Sequence, residues 1–209
     1  MITQLLDIGQ SSLNRAAELL CAGQLVAFPT DTVYGVGAPV FDAEAVASIY
    51  IAKERPPGKA IPVLIADVFD LSRIALSVPD AARALMARFW PGGLTLVLPK
   101  RPEVPEIVSR DETVAVRIPD LDLTRTLMRL TGPIAATSAN RSEQPSPVTA
   151  ADVMTQLGGR IAAVLDGGAC PGGVPSTVVD CVAWPPRVLR QGALTAAVLR
   201  GVVPDLRVG

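Results

Sequence analysis

The sequence contains no histidine, and of its 19 basic residues only Lys53, Lys59 and Lys100 are lysine. Without histidine there is no Ser-His-Asp or Cys-His machinery, no histidine base near neutral pH and no histidine metal site. Cysteine is scarce as well. Cys21, Cys170 and Cys181 are an odd number with no CxxC spacing, so neither a zinc site nor a disulfide framework is expected, and a reducing cytoplasm is the compartment they suggest. Aromatic residues make up 4% of the chain and the net charge is −1. Bulk charge therefore gives no reason for strong nucleic-acid binding, although a local basic patch remains open. Long apolar runs are absent too. The longest uncharged stretch is the 13 residues 167–179, rich in Gly and Pro, whereas a membrane span needs about 20 apolar residues. The first residues lack a basic region followed by an apolar one, so no signal peptide is expected.

What is present is a chain of 209 residues, 49% hydrophobic, with a mean hydropathy of +0.38. That is long and apolar enough for one domain with a real core, and it excludes disorder. Apolar spacing predicts a helix over 11–22 with Gly23 at its end, a strand over 24–28 stopped by Pro29, and a helix from an Asp42 cap to Lys53. Strands are predicted at 61–66, 94–98, 113–118, 133–137, 161–165, 176–181 and 187–190. Further helices are predicted from Pro79, read as the first helical position, to Phe89, at 121–130, and at 149–157 behind a Thr149/Asp152 capping box. Alternating helix and strand with several hairpin-sized gaps imply an α/β fold on a mixed parallel and antiparallel sheet. The main domain is read as 1–195, and 196–209 as a short tail, either helical or loose.

Four polar clusters interrupt strand ends, where open α/β sheets place ligands. The first is Pro29-Thr30-Asp31-Thr32-Val33-Tyr34-Gly35, a hydroxyl-lined turn suited to a small polar substrate; an ordinary Thr/Asp turn has the same composition. The second, Lys53-Glu54-Arg55-Pro56-Pro57-Gly58-Lys59, places three cations at a helix end and in a stiff turn. They fit a phosphate clamp, and they equally complement a helix dipole. It matches neither GxxxxGK[ST] nor GxGxxG. The third is Thr137-Ser138-Ala139-Asn140 and the fourth Gly172-Gly173-Val174-Pro175-Ser176-Thr177. Arg117 stands in an apolar strand, so its charge must meet an internal carboxylate or line a cavity.

In order, PTDTVYGVG, KERPPGKAIPVLI, TVAVRIP, TSANRSEQPSP, PSTVVD and VLRQGAL resemble the YrdC family, the threonylcarbamoyl-AMP synthases of tRNA modification, over roughly residues 10–195. Each motif alone is weak; the ordered set is specific. The resemblance implies a twisted sheet with flanking helices around a concave, basic cavity. It implies condensation of L-threonine, bicarbonate and ATP to threonylcarbamoyl-AMP and pyrophosphate, with Mg2+ carried on ATP. A downstream tRNA threonylcarbamoyl-transferase complex would then modify tRNAs that read ANN codons. Lys53/Arg55 and Ser138/Asn140 match the family's KxR and SxN signatures, Lys53 and Arg55 being the catalytic pair. Arg55, Lys59, Thr113, Ser138, Asn140 and Arg190 are expected on ATP. Thr32, Arg117, Thr137 and Ser176 are expected on threonine, with Arg117 on its carboxylate and Thr30 and Tyr34 as wall residues. Lys100 acquires no role and reads as a surface residue.

The chain stops soon after VLRQGAL and so resembles the short branch of the family. In the longer branch the Lys59 position is often Asn, and a His stands where this chain has Leu64. Substrate-made nucleophiles fit the missing histidine: threonine and bicarbonate yield a carbamate whose carboxylate can attack the α-phosphate. Two other readings fit the sequence less well. A carbamoyl-adenylate-forming domain, as in hydrogenase maturation proteins, lacks here its CxxC pairs and its length. A non-catalytic module for tRNA or double-stranded RNA lacks a basic stripe.

Overall fold

Helix and strand alternate along the chain much as the apolar spacing predicts. The computed structural model describes residues 2–209. In chain order it holds β1 (Gln4–Leu6), α1 (Gln10–Cys21), β2 (Val26–Phe28), β3 (Gly35–Pro39), α2 (Ala43–Lys53), β4 (Val63–Leu64), α3 (Asp80–Phe89), β5 (Leu94–Pro99) and β6 (Thr113–Arg117). It continues with α4 (Asp122–Thr131), β7 (Ile134–Ser138), α5 (Ala150–Leu157), β8 (Ala163–Leu165), β9 (Thr177–Asp180), β10 (Arg187–Arg190), α6 (Ala196–Arg200) and β11 (Arg207–Val208). A 3-10 segment, Val68–Arg73, lies between β4 and α3.

The strands form one open sheet in the order β1-β8-β2-β3-β7-β4-β6-β5-β9-β10-β11. Pairings are mixed: β2 runs parallel to β8 and antiparallel to β3, and β4 parallel to β6 and antiparallel to β7. Alternation along β2 shows how the sheet is covered. Val26 and Phe28 point into a cluster with Leu13 and Leu20 of α1 and Leu127 and Met128 of α4, while Ala27 joins Val36, Ile49 of α2, Leu85 of α3 and Val153 of α5 on the opposite side. Phe28 and Leu20 are fully buried, and each such side chain contributes about 1.5–3 kcal/mol.

Local chemistry explains the helix ends. The Asp42 carboxylate accepts from the Ala45 N–H at 2.9 Å, and Thr149 and Asp152 form the reciprocal capping box. Pro79 stands one position earlier than predicted. Its ψ is 153°, so it caps α3 and Asp80 is the first helical residue. Residues 196–209 carry α6 and β11; Leu199, Val203 and Leu206 lie in the larger core cluster, and β11 pairs with β10.

β3 has no counterpart in the sequence reading. Its GVGAP composition is poor in strand formers. Packing decides it, because a Cβ at Gly37 would stand 2.4 Å from Ile134 Cγ2 and 2.9 Å from the Ala135 carbonyl. Only glycine lets β3 approach β7 this closely. The β3–β7 register places Gly35 opposite Ser138 and Val36 opposite Thr137, which joins the first and third polar clusters. Lys100 is corrected as well: it is partly buried, and its Nζ donates to the Ser109 carbonyl at 2.6 Å.

Candidate active site

One cavity of about 620 Å3 gathers all four polar clusters. The turn between β2 and β3 supplies Thr30, Thr32 and Tyr34. The end of α2 and the turn after it supply Lys53, Arg55 and Lys59. β7 and its exit supply Thr137, Ser138 and Asn140, and β5, β6, the entry to β9 and β10 contribute Thr95, Arg117, Ser176 and Arg190 around an apolar floor of Leu64, Val97, Ala115 and Val178. Five cations line it against one carboxylate, Glu143. A cavity of about 720 Å3 between the 3-10 segment and α3 is mostly apolar, with Leu71, Leu76, Met86 and Trp90, and holds none of the predicted residues.

Lys53 is 1% exposed, and its Nζ donates to the Ser138 carbonyl at 2.5 Å and to the Asn140 carbonyl. Burial first, then the neighbouring charges of Arg55 and Lys59, push its ammonium down to about 7. Arg55 folds over its own turn, donating to the carbonyls of Lys59 at 3.1 Å and Ala60 at 2.9 Å. Between them Glu54 closes α2 in the left-handed region, φ 53°. Its carboxylate faces outward to Arg141 and, at 2.9 Å, to Arg160.

Arg117 is held quite differently. Its Nη2 meets Asp31 Oδ1 at 2.5 Å, Nη1 donates to Thr32 Oγ1 at 2.9 Å, and Nε to the Gly92 carbonyl at 2.9 Å. Burial lowers its affinity for a proton, and Asp31 works in the opposite sense. Asp31 Oδ1 also accepts from the Asp120 N–H at 3.1 Å. Nearby, Ser176 Oγ and Thr95 Oγ1 lie 2.7 Å apart, and Arg190 Nη2 donates to the Ser176 carbonyl at 2.8 Å. Burial lowers the Arg190 proton affinity too. Gly192 lets the residues after β10 lie on this wall, since a Cβ there would stand 2.2 Å from the Pro175 carbonyl.

With this geometry in hand, comparison with known proteins is informative. The Sua5–YciO–YrdC family model, whose description reads "Telomere recombination", matches residues 18–192. The chain belongs to the Sua5/YciO/YrdC family. The threonylcarbamoyl-AMP synthase of Bacillus subtilis is 43% identical over 210 residues, 99% of this chain and 61% of that protein. The Pyrococcus abyssi threonylcarbamoyl-AMP synthase is 44% identical over 195 residues, 92% of this chain and 57% of its own length. The crystal structure of P. abyssi Sua5 complexed with L-threonine superposes with a TM-score of 0.96 at 41% identity, covering 100% of this chain and 63% of that one. Escherichia coli YciO matches with a TM-score of 0.85 at 25% identity, over 95% of this chain and 100% of YciO. The chain thus spans about 60% of the length of the two synthases, 61% and 57%.

Within this Sua5/YciO/YrdC cavity, Thr30, Thr32, Tyr34, Lys53, Arg55, Lys59, Arg117, Thr137, Ser138, Asn140, Ser176 and Arg190 stand together. Thr113 does not. It shares a strand face with Ala115 and Arg117 but opens β6, opposite Pro99, outside the lining. Tyr34 lines the wall while its hydroxyl is turned to the Gly168 carbonyl at 2.8 Å; burial raises its pKa. Ser138 extends by one residue the strand predicted at 133–137.

Four residues that shape the site escaped the sequence reading as individuals: Thr95 and Glu143 in the lining, and Asp31 and Glu54 behind it, as partners of Arg117 and Arg141. A signal existed for Thr95, a hydroxyl inside the apolar run LTLVL, which raises the same question as Arg117 in TVAVRI. Asp31 and Glu54 were embedded in quoted motifs, and nothing local distinguished their roles. Glu143, at φ 68°, carries no such signal.

Proposed function

We propose that the protein condenses L-threonine, bicarbonate and ATP, the last as its Mg2+ complex, to threonylcarbamoyl-AMP and pyrophosphate. The observation that carries this reading is a five-cation, hydroxyl-lined cavity in a chain that superposes over its full length on a family structure complexed with L-threonine. Among the described residues no group of three or more Asp, Glu, Cys or His could hold a metal. In this reading Mg2+ arrives on the triphosphate oxygens, ligands of the kind it prefers.

In this reading Arg55, Lys59, Ser138, Asn140 and Arg190 serve the triphosphate and adenylate. Thr32, Arg117, Thr137 and Ser176 serve threonine, with Arg117 on its carboxylate. Thr113 is left with no direct contact in this arrangement. The amine of threonine attacks the carbon of bicarbonate, a C–O bond breaks and water leaves, giving a carbamate; its oxygen attacks the α-phosphorus, the bond from the α-phosphorus to the bridging oxygen breaks, and pyrophosphate leaves. The chain supplies positioning and charge neutralisation, and holding reactants in place can account for about 7–11 kcal/mol of a barrier. The product would pass to a tRNA threonylcarbamoyl-transferase complex, in the cytoplasm.

The test is pyrophosphate release from MgATP by the purified chain. It should require both L-threonine and bicarbonate. Equal release without threonine would overturn the assignment. If salt-sensitive tRNA binding survived Lys53→Ala and Arg55→Ala without any pyrophosphate release, the RNA-module reading would take its place.

A further inference from the structure

The turn leaving β7 is fixed peptide plane by peptide plane. The Ser138 carbonyl accepts from Lys53 Nζ, and the other end of that peptide, the Ala139 N–H, donates to the Tyr34 carbonyl at 2.8 Å. The Asn140 carbonyl also accepts from Lys53 Nζ, and the Arg141 N–H beyond it donates to Gln156 Oε1 at 3.0 Å. The Ser142 N–H returns to the Lys53 carbonyl at 2.9 Å. On the outer side Arg141 meets Glu54, the residue between Lys53 and Arg55. The Asn140 side chain closes the turn from within, donating to the carbonyls of Arg141 at 2.7 Å and Gln144 at 2.9 Å. Between the two fixed peptides the Asn140 N–H has no acceptor among the described residues.

We infer that Lys53 is a positioning residue of the anion subsite: its ammonium turns the carbonyls of Ser138 and Asn140 toward itself and leaves the Asn140 N–H as a backbone donor for phosphate. Carbonyl oxygens facing the cavity would repel an anion, whereas a held N–H attracts one without reorganising. A compact ammonium suits this task, since two carbonyls converge on one atom. A planar guanidinium cannot present its donors from one point in a slot this closed. That the anion is a nucleotide phosphate rests on the functional reading above; the brace itself does not.

The test uses the full chain, isotopically labelled, with α,β-methylene-ATP as probe and no threonine, so it is decided whether or not threonine is the second substrate. NMR at pH 6 reads hydrogen-bond couplings from Lys53 Nζ to the Ser138 and Asn140 carbonyl carbons. These couplings should persist at saturating nucleotide while the Asn140 amide resonance moves. Their loss on nucleotide binding, with Nζ shifting to phosphate, overturns the inference. In parallel, Lys53→Arg keeps the charge and removes the point of convergence. It should weaken nucleotide binding at least tenfold, as Lys53→Met does, with threonine affinity within threefold of wild type. Wild-type nucleotide affinity in Lys53→Arg overturns the inference by a second route. Arg55→Met is the control: it removes a cavity cation and should leave the Lys53 couplings in place. If the Lys53 variants do not fold, the couplings in the wild-type chain decide alone.

Discussion

The two ends of the cavity neutralise their cations by different means. At the α2 end, Lys53 and Arg55 donate to main-chain carbonyls. A carbonyl is a dipole, so it satisfies the donor without cancelling a charge, and what lowers the Lys53 charge is burial instead. At the β6 end, Arg117 is paired with the carboxylate of Asp31, whose side chain is 14% exposed. That pair is close to neutral. The α2 end is built to attract an anion such as a triphosphate, and the Arg117–Asp31 pair suits a ligand of no net charge, as an amino-acid zwitterion is, with Arg190 on the Ser176 carbonyl as the cation beside it. Apparent abundance of positive charge in a cavity therefore says little until each cation's partner is known.

The largest effect that tests this contrast is expected from Arg117→Ala. It removes one partner of a buried pair and leaves Asp31 uncompensated, which typically costs about 3–5 kcal/mol of stability. In the folded protein, under the proposed activity, the threonine requirement should rise by about 100-fold or more and that for ATP far less, measured as KM for each. Equal shifts in both would erase the distinction between the ends.

A pH series probes the other end. In the folded chain Lys53 sits at about 7, against an ordinary lysine value of 10.5. Between these values the unfolded chain holds the extra proton, so stability rises with pH, by at most about 1.4 kcal/mol per pH unit for one proton. Denaturant melts from pH 7 to 8, below the range in which the Cys170 and Cys181 thiols, pushed up by burial, act in the opposite sense, should show the rise in wild type and its absence in Lys53→Met. The same rise in both would assign it to other groups and show that burial does not hold Lys53 away from its charge.

Asp31→Asn converts the paired end into a likeness of the anionic one. About a tenfold increase in threonine KM is expected, roughly 1.4 kcal/mol, together with tighter inhibition by pyrophosphate. Unchanged pyrophosphate inhibition would mean that Asp31 does not screen Arg117. The smallest effect belongs to Lys59→Met. Lys59 is exposed, and exposed charge is screened. Calorimetry of α,β-methylene-ATP should show affinity down by about threefold, with a weaker dependence on salt; identical salt dependence would remove Lys59 from the phosphate field.

How far the sequence reached can be judged from particular elements. Helices with an apolar stripe and a cap were legible, because α2 and α5 carry their own start signals at Asp42 and Thr149 and α1 its end signal at Gly23. β3 was not, because GVGAP acquires its strand character from the closeness of β7. Arg117 was legible as a charge that needed an explanation, but local pattern left open whether protein or ligand would provide the partner. Asp31, 86 residues away in the chain, provides it. Glu54 adopts a left-handed backbone in which a residue with a side chain is strained by about 1 kcal/mol or more. Arg141 and Arg160 hold its carboxylate there, and neither is a neighbour in sequence.

By itself the sequence determined the class of fold, the family, the absence of histidine chemistry and the chemical types available to the cavity. These depend on periodicity, on short turn signals and on which side chains exist at all. Only the tertiary structure decided which partner each cation meets. Carbonyl and carboxylate partners are brought to Lys53 and Arg117 by strand register and chain crossings over 85 residues or more. The electrostatics of a site depends on such distances in space and not on order along the chain.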